Sequence, residues 1–189
     1  MRIVARFLDC ATVRLLPQLA LKEAPMPPLT RLQDYLDANH VDYEVLAHPE
    51  VYTTQELAAI EHIRGRELAK VVILRSGSEF LMIVLPAPYH VDLDRVRIAT
   101  GRSDLSLATE QEFVSLFPNC EAGAMPPFGN LYDIPVWVDE SLSRDEDIVF
   151  NACTHRTAIK MKYADFARLV RPNVALLRKE AQIAQSERI

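Results

Sequence analysis

A chain of 189 residues of which 49% are apolar can bury one sizeable core, whereas two full domains would each be left thin. The formal charge of −5, from 21 Lys and Arg against 26 Asp and Glu, excludes a broad basic face for long nucleic acid, because phosphate affinity is built from many cationic contacts. Cys10, Cys120 and Cys153 are widely spaced and show neither a disulfide framework nor a CxxC metal pair, so a reducing, cytoplasmic setting is expected.

In residues 1–28, Arg2, Arg6 and Arg14 lie among Ile3, Val4, Phe7, Leu8, Leu15 and Leu16, and the stretch closes on Pro27 and Pro28. It lacks the apolar stretch and small-residue cleavage site of a secretory signal and reads as an N-terminal extension, or as sequence upstream of a start at Met26. Residues 29–177 read as one domain and 178–189 as a polar C-terminal tail. No apolar run reaches the roughly 18–20 residues needed to cross a bilayer.

Thr30 is placed to cap a short helix carrying Leu32, Tyr35 and Leu36, followed by a strand over 43–46. Thr53-Thr54-Gln55-Glu56 matches a capping box, and Leu57, Ile60 and Ile63 continue it at helical spacing. Residues 70–75 and 80–85 are two apolar runs joined by Ser76-Gly77-Ser78, the pattern of a β-hairpin. Leu93, Val96 and Ile98 suggest a short helix, and Thr109-Glu110-Gln111-Glu112 is a second capping box opening a helix that Pro118 stops. Strands are expected at 135–138, 148–151 and 157–161 and a closing helix at 163–170, with Phe166, Leu169 and Val170 inward. The fold class is mixed α/β, with hairpins that imply antiparallel pairing.

Two features carry chemistry. Lys70 opens an apolar strand on the same face as Val72 and Leu74. It is either a strand-end lysine snorkelling to water or a partly desolvated ammonium able to hold a carbonyl, carboxylate or phosphate. Between residues 120 and 130, Gly123 and Gly129 bracket Ala124, Met125, Pro126, Pro127 and Phe128. Proline stiffens this loop and glycine lets it take conformations other residues resist. It is either a plain connector or a device that aims backbone N–H groups at an oxyanion or a water. The histidines lack metal-binding spacing, so no metal site is expected. Cys153 reads as a small packing residue rather than a nucleophile. Asp92, Asp94 and Asp104, with Arg95, Arg97 and Arg102, read as a solvated charged face. GxSxG, GxGxxG and GxxxxGK[ST] are all absent, which removes the simplest serine-hydrolase and nucleotide-binding readings.

Taken together, Lys70 at the head of its strand, the 123–129 loop and Asn151-Ala152-Cys153-Thr154-His155 before the last strand and helix resemble the YbaK/ProX family of aminoacyl-tRNA deacylases. That family is related to the editing domain inserted in prolyl-tRNA synthetases. The resemblance implies a curved, mostly antiparallel sheet with short surrounding helices, and hydrolysis of mischarged aminoacyl-tRNA esters without metal or organic cofactor. Lys70, Gly123, Ala124, Met125 and Pro126 would be the catalytic group. Tyr52, Thr53, Pro127, Phe128, Gly129, Asn151 and His155 would border the substrate, which would be a small amino acid (alanine, serine, threonine or cysteine) on tRNA for proline. Cys153 stands where the family pattern commonly has glycine. The implied partners are the aminoacyl-tRNA acceptor end and prolyl-tRNA synthetase, with neither DNA nor membrane. Given the acidic charge, contact with tRNA is expected to be local, through Arg64, Arg66 and Arg75. Two alternatives remain: a non-catalytic module that binds a tRNA end or a synthetase, and a cysteine- or metal-dependent hydrolase.

Overall fold

The computed structural model describes residues 28–48, 67–118 and 120–179. The helix expected at 53–63 lies outside them. Helix α1 (Pro28–Ala38) begins two residues ahead of the expected cap, at a proline whose missing N–H costs nothing in a first turn. It buries Leu32 and Leu36, and the chain reverses at His40 (φ 53°) into β1 (Tyr43–Ala47).

The hairpin of β2 (Ala69–Ser76) and β3 (Glu79–Pro86) forms as the sequence implies, turning through Gly77 at φ 59° between the paired residues Ser76 and Glu79. Strand β3 is interior to its sheet, and Leu81, Met82, Ile83, Val84 and Leu85 are buried on both faces, which explains a continuous apolar run in place of alternation. Helix α2 (Leu93–Thr100) is capped by the Asp92 carboxylate, which accepts from the Asp94 and Arg95 N–H groups at 3.1 and 3.2 Å. Asp92 therefore does more than solvate a charged face. In this helix Val96 is buried and Ile98 exposed. The two-residue strand β4 (Ser106–Leu107) precedes α3 (Glu110–Phe113), whose Thr109/Glu112 capping box is made as expected. A 3₁₀ turn at Val114–Leu116 tightens the remainder of that helix.

Beyond the loop come β5 (Val136–Asp139), β6 (Asp147–Thr154), β7 (Thr157–Lys162), α4 (Tyr163–Val170) and β8 (Asn173–Ala175). The strands are shared between two open sheets, ordered β1-β7-β6 and β4-β2-β3-β5-β8. Pairing is mostly antiparallel, as expected, but β5 runs parallel to both β3 and β8. A parallel bridge between Leu68 and Val149 joins the sheets, with the Val149 N–H donating to the Glu67 carbonyl at 3.0 Å.

The main core lies on one face of β2 and β3, where Ala69, Ile73, Met82 and Val84 meet Phe128, Phe150 and Phe166. On the other face Leu74, Leu81, Ile83 and Leu85 meet Val96, Leu105 and Leu177. Arg178 and Lys179 do not behave as a tail. Arg178 bridges Val91, lies over the Tyr89 ring at 5.2 Å and pairs with the fully buried Asp139; the Lys179 N–H donates to the His90 carbonyl at 2.8 Å. A side chain completely removed from water needs its charge answered, and Arg178 answers it.

Candidate active site

Strand alternation and the interstrand bridge decide where Lys70 points. Leu68 and Val149 are partners in a parallel bridge, and two residues further along each chain are Lys70 and Asn151. Side chains two apart share a face. Lys70 and Asn151 are therefore on the same faces of their strands as Leu68 and Val149, which pack with Ala87 and Ala158 in one apolar cluster. Within their own sheets Asn151 lies directly opposite Ala158 and Lys70 opposite Leu85.

Burial alone pushes the Lys70 ammonium below the usual lysine range. No carboxylate contributes, and among the described residues none pairs with it. The Asn151 Oδ1 is likewise buried without a hydrogen-bond partner among the described residues. A half-buried cation and an idle amide oxygen, both unsatisfied internally, suit a polar ligand better than they suit packing.

The Gly/Pro loop is anchored at both ends. At its far end the Phe128 ring is fully buried, 6.2 Å from the Tyr35 ring and 5.6 Å from both Phe150 and Phe166. Gly129 follows in a 3₁₀ turn (Gly129–Leu131) and abuts β5, where a Cβ would lie 2.6 Å from Val136 Cγ2 and closer still to the Ile134 carbonyl oxygen. Helix α1 holds the same turn: Arg31 donates to the Leu131 carbonyl at 2.7 Å and Asn130 Nδ2 to the Tyr35 hydroxyl at 3.0 Å. Phe128 and Gly129, expected to border substrate, are placed as the loop's footing.

At its near end the loop is laced to β6. The Cys153 N–H donates to the Ala124 carbonyl at 2.8 Å, the Glu121 N–H to the Cys153 carbonyl at 2.9 Å, and the His155 N–H to the Glu121 carboxylate at 2.7 Å. The His155 Nε2 lies 2.9 Å from the Ala122 carbonyl oxygen, which can only accept, so Nε2 carries the hydrogen. The ring also rests against Gly123, whose φ of 85° favours a residue without Cβ. Cys120 and Cys153 form a disulfide with Cα atoms 4.3 Å apart. This corrects the expectation of unpaired cysteines, because a separation of 33 residues carries no spacing signal and only the fold brings them together. With its sulfur so engaged, Cys153 offers no thiolate to a cysteine-hydrolase mechanism.

The lacing leaves some donors idle. The Ala124 N–H is taken by the Glu121 carbonyl at 3.0 Å, and Pro126 and Pro127 have no N–H. The Gly123 N–H reaches only the Met125 thioether sulfur, at 3.3 Å, a weak acceptor, and the Met125 N–H meets no backbone or side-chain acceptor among the described residues. Of the loop residues expected to act, Gly123 and Met125 therefore have spare donors, while Ala124 is an anchor and the prolines are stiffeners.

Arg75 is not brought to this site. It sits five residues along β2 from Lys70, about 17 Å at the usual rise, and its guanidinium pairs with Glu112. Tyr52, Thr53, Arg64 and Arg66 lie outside the described residues. Among the described residues no three His, Cys, Asp or Glu side chains gather as metal ligands would.

A family model for the aminoacyl-tRNA editing domain matches residues 48–169, more than half of the chain and the span from the end of β1 to the last turn of α4. The chain belongs to the aminoacyl-tRNA editing domain family. It is 28% identical over 159 residues to the multifunctional Ser/Thr-tRNA deacylase ProXp-y of Escherichia coli strain K12, covering 80% of this chain and 93% of that protein. It is 24% identical over 128 residues to the proline–tRNA ligase of Bacillus cytotoxicus, covering 68% of this chain but 22% of the ligase. A solved structure described as a candidate trans-editing enzyme for prolyl tRNA synthetase superposes with a TM-score of 0.71 at 21% identity, covering 82% of this chain and 99% of that one. That likeness establishes the editing-domain fold, as expected from the resemblance.

Proposed function

We propose that this editing domain acts in trans as an aminoacyl-tRNA deacylase, hydrolysing the ester between a small amino acid and the acceptor end of a mischarged tRNA, with tRNA for proline the first candidate. The observation that carries the reading is the half-buried Lys70, unpaired among the described residues, on the strand whose Leu68 bridges to β6, the strand of Asn151, within a span that matches the editing-domain family. The deacylase named above supports the reaction class.

In this reading Lys70 holds the carbonyl or the ribose–phosphate end of the substrate by its charge. The Gly123 and Met125 N–H groups receive the developing oxyanion as water attacks the ester carbon, and a ribose hydroxyl of the substrate assists the water. Fixed donors aimed at a developing oxyanion are typically worth 10²–10³ in rate for one donor. The residues assigned are neutral donors and one cation, so the rate comes from positioning and electrostatics rather than from an acid–base pair. Asn151 and His155 border the amino-acid side chain, as do Tyr52 and Thr53, and Arg64 and Arg66, just ahead of β2, contact tRNA. Deacylation assays with alanyl-, seryl-, threonyl- and cysteinyl-tRNA test the reading. One or more should be hydrolysed by the wild-type protein and spared by a folded Lys70→Ala variant. Binding of charged tRNA without faster hydrolysis would instead identify a recognition module.

A further inference from the structure

The loop that presents Gly123 and Met125 is held to β6 and the residue after it by four hydrogen bonds and one covalent bond, all within residues 120–124 and 153–155. Glu121, Ala122 and Gly123 are exposed, so the hydrogen bonds that Glu121 and Ala122 make to Cys153 and His155 stand beside water that can exchange with them. The Cys120–Cys153 bond is the one covalent link of the five. A second observation singles out Cys153. Its φ of 67° lies in the left-handed region, where glycine would sit at ease and a side chain does not. What the cysteine contributes in return is its bond to Cys120.

We propose that Cys120–Cys153 is a thiol–disulfide switch on the editing site. Oxidised, it holds the loop's spare N–H donors where the oxyanion forms; reduced, it releases them and slows hydrolysis. The switch of rate rests on the deacylase reading above. The chemistry needs a dithiol reductant. Cys153 is 1% exposed and Cys120 partly exposed, so the attack falls on Cys120. A reductant thiolate attacks the Cys120 sulfur, forming a mixed disulfide and expelling Cys153 as a thiolate, which takes up a proton. The reductant's second thiol then closes on the first, leaving two protein thiols and one oxidised dithiol. Oxidised glutathione reverses the sequence with release of two glutathione thiols.

The test uses the full chain, oxidised with glutathione disulfide or reduced with dithiothreitol, its thiol state read by alkylation and mass spectrometry. Deacylation is followed on the four charged tRNAs, and hydrogen exchange is followed over residues 120–125. Reduction should lower kcat by roughly tenfold or more, since small displacements of positioned groups carry costs of that order, with KM little changed and the rate restored on reoxidation. Cys120→Ser should be slow in both conditions. Equal rates in the two states, faster hydrolysis after reduction, or a redox effect that survives in Cys120→Ser each overturns the switch. The wild-type comparison stands even where the variant fails to fold. Hydrogen exchange reads the clamp without tRNA: faster exchange on reduction supports it, and identical exchange overturns it. Inactivity in both states with altered exchange would overturn the deacylase reading while leaving the clamp.

Discussion

The two glycines that bracket the loop should fail for different reasons, and the contrast tests how the loop is built. At Gly129 an added methyl would sit 2.6 Å from Val136 Cγ2 and nearer still to the Ile134 carbonyl oxygen. Carbon pairs are at ease at about 3.5–4.0 Å, so something must move by about 1 Å. Val136 cannot readily yield, because it is paired with Met82 on the interior side of its strand. The loop must yield instead. Overpacking of this kind costs about 1–3 kcal/mol, and a shift of about 1 Å in a positioned group costs on the order of 10²-fold in rate. At Gly123 the added methyl meets only His155 Cε1 at 3.6 Å, an ordinary contact, so the cost is the left-handed backbone alone, about 1–2 kcal/mol. Gly129→Ala should therefore lower both the urea midpoint and kcat on mischarged tRNA. Gly123→Ala should lower stability comparably or less, with any loss of kcat tracking displacement of its own N–H. A Gly129→Ala protein with wild-type midpoint and wild-type kcat would refute the claim that close approach to β5 sets the loop's position.

Because burial lowers the Lys70 pKa, the enzyme-dependent rate should fall on the alkaline side before an ordinary lysine would titrate, near 10.4; Lys70→Arg should remove that limb if it retains activity, as read from background-corrected pH–rate profiles. Asp139 is pushed up by burial but held below the usual carboxylate range overall, by hydrogen bonds from Ser141 and the Leu177 amide and by Arg178. Its contribution to stability is therefore present above about pH 3.9 and is lost as pH falls through its folded pKa. Asp139→Ala should destabilise by about 3–5 kcal/mol at neutral pH, with the difference from wild type shrinking in acid; a urea midpoint unchanged at pH 7 would count against a stabilising role for the buried Asp139–Arg178 pair. Reversing Arg64 and Arg66 should weaken tRNA use at subsaturating concentrations, whereas Arg75→Ala, remote from Lys70 and engaged with Glu112, should leave it unchanged. The opposite ranking would relocate the tRNA path.

Local chemistry made much of this protein legible in its sequence. Two apolar runs on either side of Gly77 marked the hairpin, the Thr109/Glu112 capping box opened α3, and helical spacing set α4 at Tyr163–Val170. Lys70 and the 123–129 loop drew attention because a charge in an apolar run and glycines beside prolines are unusual wherever they occur. Residues whose roles depend on distant partners were not legible. Phe128 and Gly129 look like pocket residues in sequence, yet they are footings because α1, β5 and α4 close on them. Arg178 reads as tail until Asp139, 39 residues earlier, is found buried beneath it.

Sequence by itself marked the longer strands, the helices and the hairpin turn among the described residues, since those depend on neighbours within a few residues, but not the short strands β4 and β8. Tertiary structure alone decided that β5 lies parallel to β3 and β8, that a Leu68–Val149 bridge joins β2 to β6, and that Cys120 meets Cys153. Each of these joins residues tens of positions apart, where closing the intervening chain is an entropic cost that only the assembled core outweighs and that no local pattern records.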